Sequence, residues 1–143
     1  MVQRTVIIGA DHGGVNLKKA LVDYLRPQGF DVQDMGADSL TSCDYPVFAH
    51  KVCEAVLRLP APGILICGTG IGMCMAANKV RGVRAAICVN EYMARLTRLH
   101  NDANVLCLGE RVLGLDLAKS IVDVYLATGY EGGRHQRRLD MFE

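Results

Sequence analysis

Cys67 stands where an apolar run, Ile64-Leu65-Ile66, meets a glycine-rich stretch, Gly68-Thr69-Gly70-Ile71-Gly72. A thiol at the mouth of a turn that enters a helix meets oriented backbone N–H groups and the positive end of the helix dipole, a setting that favours a thiolate. Glycines on alternate positions let main-chain N–H groups face an anion without intervening side chains. Such a pair suits proton abstraction from carbon beside a carbonyl, with the turn holding the enediolate. It suits acyl transfer equally, if a histidine lies within hydrogen-bond reach of the sulfur. The plain structural alternative is a small core cysteine next to a tight turn. Cys43, Cys53, Cys74, Cys88 and Cys107 lie in helical or strand patterns or in the 36–46 loop, without this setting.

Other groups capable of chemistry cluster in three further stretches. "ADHGG" supplies Asp11 and His12 after the first apolar run, and "HNDAN" supplies His100 and Asn101 just ahead of the last one. The expectation is that the fold gathers these at strand ends near Cys67. The tail "EGGRHQRRLD" carries Arg134, His135, Arg137 and Arg138. A short basic run is usually a solvated helix face. On a helix, however, Arg134 and Arg138 are four residues apart and share a face, and two guanidinium forks there make a phosphate clamp.

Nucleotide motifs do not fit. Met73 stands where a dinucleotide fingerprint starting at Gly68 needs its third glycine, and no Gly-Lys-Ser/Thr follows the turn. The other frame, Gly9 to Gly14 with Asp34 as the ribose acid, puts Asp11 where a pyrophosphate would lie, and like charges repel.

The elements that must position these groups alternate along the chain. "TVIIGA" (5–10) reads as a buried strand, followed by helical spacing of Leu17, Ala20, Leu21, Tyr24 and Leu25 until Pro27 and Gly29. "FDVQD" begins a second strand, and Asp44 is placed to cap a helix from Tyr45 and Pro46 to near Pro60. A third strand spans Gly63 to Cys67, with a helix around 72–78. The fourth is "VRAAICV" (83–89), with a helix near 91–99, and "NVLCLG" is the fifth. A long amphipathic helix then runs through Leu117, Ile121 and Tyr125 to before Gly129. Five short apolar strands separated by helices give a Rossmann-like α/β fold: a five-stranded parallel sheet in a three-layer α/β/α sandwich, ending in a helical tail. Ligands in such sheets bind at the carboxyl ends of the strands, near a topological switch point.

Composition sets the outer bounds. The 143 residues read as one domain, 1–143, and half of them are hydrophobic. Sixteen Lys and Arg against fifteen Asp and Glu leave +1, so no global field attracts nucleic acid or anionic lipid. The early apolar run 6–10 is too short for a signal core or a membrane span, which makes the cytoplasm the default compartment and free thiols the expected state of all six cysteines. No C-x-x-C pair and no histidine pair at zinc spacing occurs, so no metal site is expected.

Five stretches together carry a family resemblance: "GADHGG" (9–14), "DYP" (44–46), "ICGTGIGMCMAANK" (66–79), "RLHNDANVL" (98–106) and "YEGGRHQRR" (130–138). With them the sequence resembles the type B ribose-5-phosphate isomerases, a family that includes galactose-6-phosphate isomerase subunits. The resemblance implies a three-layer α/β/α sandwich and an aldose-ketose isomerase that interconverts ribose 5-phosphate and ribulose 5-phosphate with no metal or organic cofactor. By matching position, Cys67 would be the base, with Gly68, Gly70, Ile71 and Gly72 holding the enediolate and Thr69 assisting proton traffic. His100, helped by Asp11, would open the sugar ring. Asn101 would contact substrate and Tyr45 would line the site. His12, Arg134 and Arg138 would bind phosphate, with Arg111 a weaker candidate. The resemblance also implies a homodimer or dimer of dimers with sites shared between subunits, so that His100, Asn101 and the tail arginines face a neighbour's Cys67. An isomerase of six-carbon sugar phosphates and a non-catalytic sugar-phosphate binding module are the rival readings.

Overall fold

A computed structural model describes residues 4–142. Five strands, β1 (Arg4–Ala10), β2 (Phe30–Asp34), β3 (Gly63–Cys67), β4 (Ala85–Ile87) and β5 (Val105–Gly109), form one sheet in the order β2-β1-β3-β5-β4. Every pairing is parallel. The helices are α1 (Val15–Leu25), α2 (Tyr45–Arg58), α3 (Ile71–Ala77), α4 (Glu91–Asn101), α5 (Leu115–Ala127) and α6 (Arg134–Leu139). The expected α/β/α sandwich is therefore present.

Alternation along the strands builds two cores, because successive side chains leave opposite faces of a sheet. Ile64 and Ile66 of β3 join Val6, Ile8, Leu106 and Leu108 beneath α1, α4 and α5. Leu65 and Cys67 join Ile7, Val105 and Cys107 beneath α2 and α3. Ile64, Leu65 and Ile66 are fully buried, and each stabilises the sheet by about 1.5–3 kcal/mol relative to an exposed side chain. Since Cys67 has the parity of Leu65, its side chain faces α2 and α3.

Strand order fixes where a crevice opens. From β1 the chain turns one way to β2 and returns past β1 to β3 on the other side, so the connections leaving β1 and β3 diverge at their carboxyl ends. Cys67 and Asp11 both sit there.

Three local details depart from the sequence reading. The fourth strand is only three residues, 85–87, at the sheet edge rather than 83–89. Asp44 is at the N-cap of α2, but its side chain makes no capping bond; its carbonyl accepts the Val47 N–H at 3.2 Å instead. Asn90 caps α4, its Oδ1 accepting the Met93 N–H at 2.9 Å, and this helix runs on through Asn101 to Asp102, which closes it with φ 46°. His100 and Asn101 are therefore helical and not loop residues. Asp34, weighed above as a ribose ligand, is held by the buried Lys18, whose Nζ donates to both carboxylate oxygens at 2.7 Å.

Candidate active site

The Cys67 side chain is 6% exposed, and its Sγ accepts the Gly70 N–H at 3.1 Å. Gly70 adopts φ 84°, the left-handed conformation that lets the chain fold back over the sulfur before α3 begins. A second amide of the turn, that of Ile71, donates to Thr69 Oγ1 at 3.2 Å. Two amides expected to face an incoming anion are thus already engaged within the turn, one of them on the thiol itself. An N–H directed at sulfur is the contact an anionic sulfur makes best.

Neighbouring loops hold the turn in place. Glu110 and Arg111 donate their N–H groups to the carbonyls of Cys67 and Gly68, both at 3.0 Å. Gly109, opposite Cys67 in the β3–β5 register, passes so near Thr69 that an added Cβ would lie 2.6 Å from its carbonyl carbon and oxygen. The Arg111 side chain covers Gly68, where an added Cβ would meet Nη1 at 2.9 Å. Tyr45, at the start of α2, lays its ring against Gly72, where an added Cβ would meet ring carbons at 2.9 Å. From β1, Asp11 is buried and its Oδ1 accepts the Gly13 N–H at 2.8 Å. His12 Nδ1 accepts the Cys43 N–H at 3.2 Å, so that nitrogen carries no proton and Nε2 is the donor available to a ligand.

Asp11, His12, Tyr45, Cys67, Gly68 to Gly72 and Arg111 therefore share one end of the sheet. The remaining candidates do not. His100 and Asn101 finish α4, and the chain then reaches Asn104, whose carbonyl accepts the Gly63 N–H at 2.9 Å at the amino end of β3. The α6 helix packs beside them, with His135 stacked on His100 at 4.2 Å between ring centroids, so Arg134 and Arg138 belong to the same opposite end. This corrects the expectation that "HNDAN" meets Cys67 within one chain. A five-residue strand separates the two groups by about 16 Å. A cavity of about 500 Å³ also lies at that far end, lined by the 78–84 segment, Asp102 and α6, and it contains no thiol.

Cys74 on α3 is shifted toward ionisation. The Cys107 thiol beside it holds it down to about 7 against the effect of burial, with Asn78 Nδ2 at 3.6 Å from its sulfur. Cys107 is pushed well up by the same contact and by burial. Sequence patterning set Cys74 aside as a helix residue, since a partner thiol on β5 leaves no local trace. Glu110 was likewise missed: its Oε1 accepts the Leu17 N–H at 2.7 Å, capping α1 from the far side of the crevice. Its place just after β5 was the available signal.

The family model for ribose/galactose isomerase matches residues 6–142. The chain belongs to the ribose/galactose isomerase family. Within this family it is 49% identical over 138 residues to ribose-5-phosphate isomerase B of Escherichia coli strain K12, covering 96% of this chain and 93% of that one. The structure of Clostridium thermocellum ribose-5-phosphate isomerase B superposes with a TM-score of 0.93 at 54% identity, covering 95% of this chain and 93% of that one. That of Mycoplasma genitalium ribose-5-phosphate isomerase B with bound ribulose 5-phosphate gives 0.93 at 45%, covering 98% and 94%. Among the described residues no helix is long and apolar enough to cross a membrane.

Proposed function

We propose that this chain interconverts ribose 5-phosphate and ribulose 5-phosphate, with Cys67 as the base. The observation that carries this reading is the buried Cys67 sulfur, bonded by the Gly70 amide at the carboxyl-end crevice of an isomerase-family fold. The thiolate removes the C2 proton of the open-chain aldose, the C2–H electron pair becomes the C1–C2 double bond, and the carbonyl oxygen takes the negative charge. Returning that proton to C1, while O2 loses its own, gives the ketose. Thr69 is exposed at the turn, and its hydroxyl keeps a proton to pass between O1 and O2. Main-chain amides of Gly68, Thr69 and Gly72, the members of the turn not directed at Cys67 or at the Thr69 hydroxyl, stabilise the oxyanion.

His100 opens the furanose ring from a second copy of the chain, beside Asp11 of the first. Asn101, Arg134 and Arg138 come with it, because one chain holds them at the far end of its sheet. Phosphate is bound by His12 Nε2 and the two tail arginines, with Arg111 over Gly68 closer to the reacting carbons. A homodimer, or a dimer of dimers, is the working unit.

Deuterium incorporation at C1 or C2 from heavy water, with ribose 5-phosphate and galactose 6-phosphate in parallel, tests the reaction and the sugar. Cys67→Ala is expected to lose about 10²–10⁴ in turnover while still binding substrate. Mixing unfolded Cys67→Ala and His100→Asn chains and refolding them together tests sharing: half the dimers then carry one intact site, restoring about a quarter of wild-type activity. No recovery in well-folded mixed dimers would overturn the shared site.

A further inference from the structure

At the end of the sheet far from Cys67, three metal-ligating side chains converge that are separated by up to 35 positions along the chain. His100 finishes α4, Glu131 lies on the segment before α6, and His135 is in α6. One ligand atom from each lies within 4.8 Å of the others. The cluster is built rather than accidental: the Glu131 N–H donates to the Leu99 carbonyl at 3.1 Å, pinning the segment to α4, and His135 is 7% exposed. Its ring stacks on His100 with 20° between the planes, and its Nε2 lies 3.3 Å from Glu131 Oε1.

We propose that His100, Glu131 and His135 form a binding site for a divalent transition cation of the zinc class, whose occupancy withdraws His100 from use. Two imidazoles and one carboxylate are a zinc donor set, and three protein ligands leave one tetrahedral position open to water. Bonds of about 2.0–2.2 Å set the ligand atoms roughly 3.3 Å apart, so the side chains must close by up to about 1.5 Å and the rings must tilt out of their stack. Glu131 is exposed and His100 is in the last turn of its helix, so rotation about their side-chain bonds supplies that movement. The opposing charge is Arg134, whose Nη1 lies 3.3 Å from the same Glu131 oxygen. Its guanidinium is 70% exposed, and an ion pair of that kind is a weak competitor.

The binding half of this inference is independent of the proposed function; the inhibitory half rests on His100 acting in ring opening. Cobalt(II) titrated into the reduced full-length protein is expected to give visible ligand-field bands without a thiolate charge-transfer band, and the signal is displaced by zinc. Glu131→Gln, a change at an exposed position, should weaken cobalt binding on the order of tenfold or more, whereas Cys67→Ser and Cys74→Ser should not alter it. Zinc should then inhibit isomerisation of ribose 5-phosphate, reversibly on adding EDTA, with Glu131→Gln needing correspondingly more metal. A thiolate band lost in Cys67→Ser or Cys74→Ser, or equal cobalt affinity in Glu131→Gln, overturns the site. Cobalt bound as expected with turnover unaffected overturns the withdrawal of His100. A metal-free wild type with no isomerase activity would defeat the functional reading alone, leaving the cobalt spectra to decide the site.

Discussion

Gly109→Ala puts the strongest demand on the crevice geometry. The new methyl group would lie 2.6 Å from the Thr69 carbonyl carbon and oxygen and 2.8 Å from its Cα. All three are backbone atoms, so no side chain can swing aside. Ordinary carbon contacts begin near 3.5 Å, so the turn must retreat by about 0.9 Å. That movement displaces Thr69 and, through the Gly70 amide, the bond on Cys67 Sγ. Overpacking of this kind costs about 1–3 kcal/mol in stability, which for a domain of this size lowers Tm by several degrees without unfolding it at room temperature. A misplacement near 1 Å at a reacting centre costs on the order of 10²-fold in rate, about 2.7 kcal/mol of barrier. Initial rates of ribulose 5-phosphate formation, with thermal unfolding on the same samples, read both quantities. Gly129→Ala is the control, since an added Cβ there meets nothing within 4 Å. If Gly109→Ala kept wild-type kcat/KM, the close seating of the turn against β5 would not be what aligns the thiol.

Three further outcomes follow from the same geometry. Asp34→Asn replaces the carboxylate against the Lys18 ammonium, 1% exposed, by a neutral amide and leaves the exposed Asp38 at 3.7 Å as its one anionic partner among the described residues, and urea unfolding should show a loss of about 3 kcal/mol; Asp38→Asn should cost under about 0.5. Burial pushes the Cys53 thiol up to about 11, so the folded chain keeps a proton that the unfolded chain releases near pH 9. Stability is unaffected below that pH and falls between about 9 and 11 by up to roughly 1.4 kcal/mol per unit, a slope that Cys53→Ala should lessen in urea titrations under reducing conditions; parallel slopes would contradict it. Asn90→Ala removes the cap on Met93 and should cost about 1 kcal/mol, read by the same method.

Short apolar runs were enough to locate the sheet, because parallel strands covered on both faces are continuously apolar, as in "GILIC" and "VLCLG". They also put Cys67 at a carboxyl end, where the structure places it. The same logic, followed strictly, excludes His100: residues that precede a strand lie at its amino end, and "HNDAN" precedes β5. The edge strand β4 was overextended because Val83 and Cys88 are buried although they lie outside the three-residue strand. Partners distant in sequence were invisible, among them Lys18 with Asp34, Glu110 with the Leu17 amide and Cys107 with Cys74. Each is set by packing and not by local pattern. The Cys43 amide that fixes the His12 tautomer belongs with them, since nothing in "TSCDYP" announces it.

Placing the thiol and the α4 imidazole on opposite rims of one sheet has a consequence for how the enzyme responds to dilution. If neither rim is sufficient alone, specific activity is a property of the assembled state. Activity per chain must then fall when protein concentration drops below the dissociation constant of the pair, and saturating sugar phosphate, by bridging the two rims, must delay that fall.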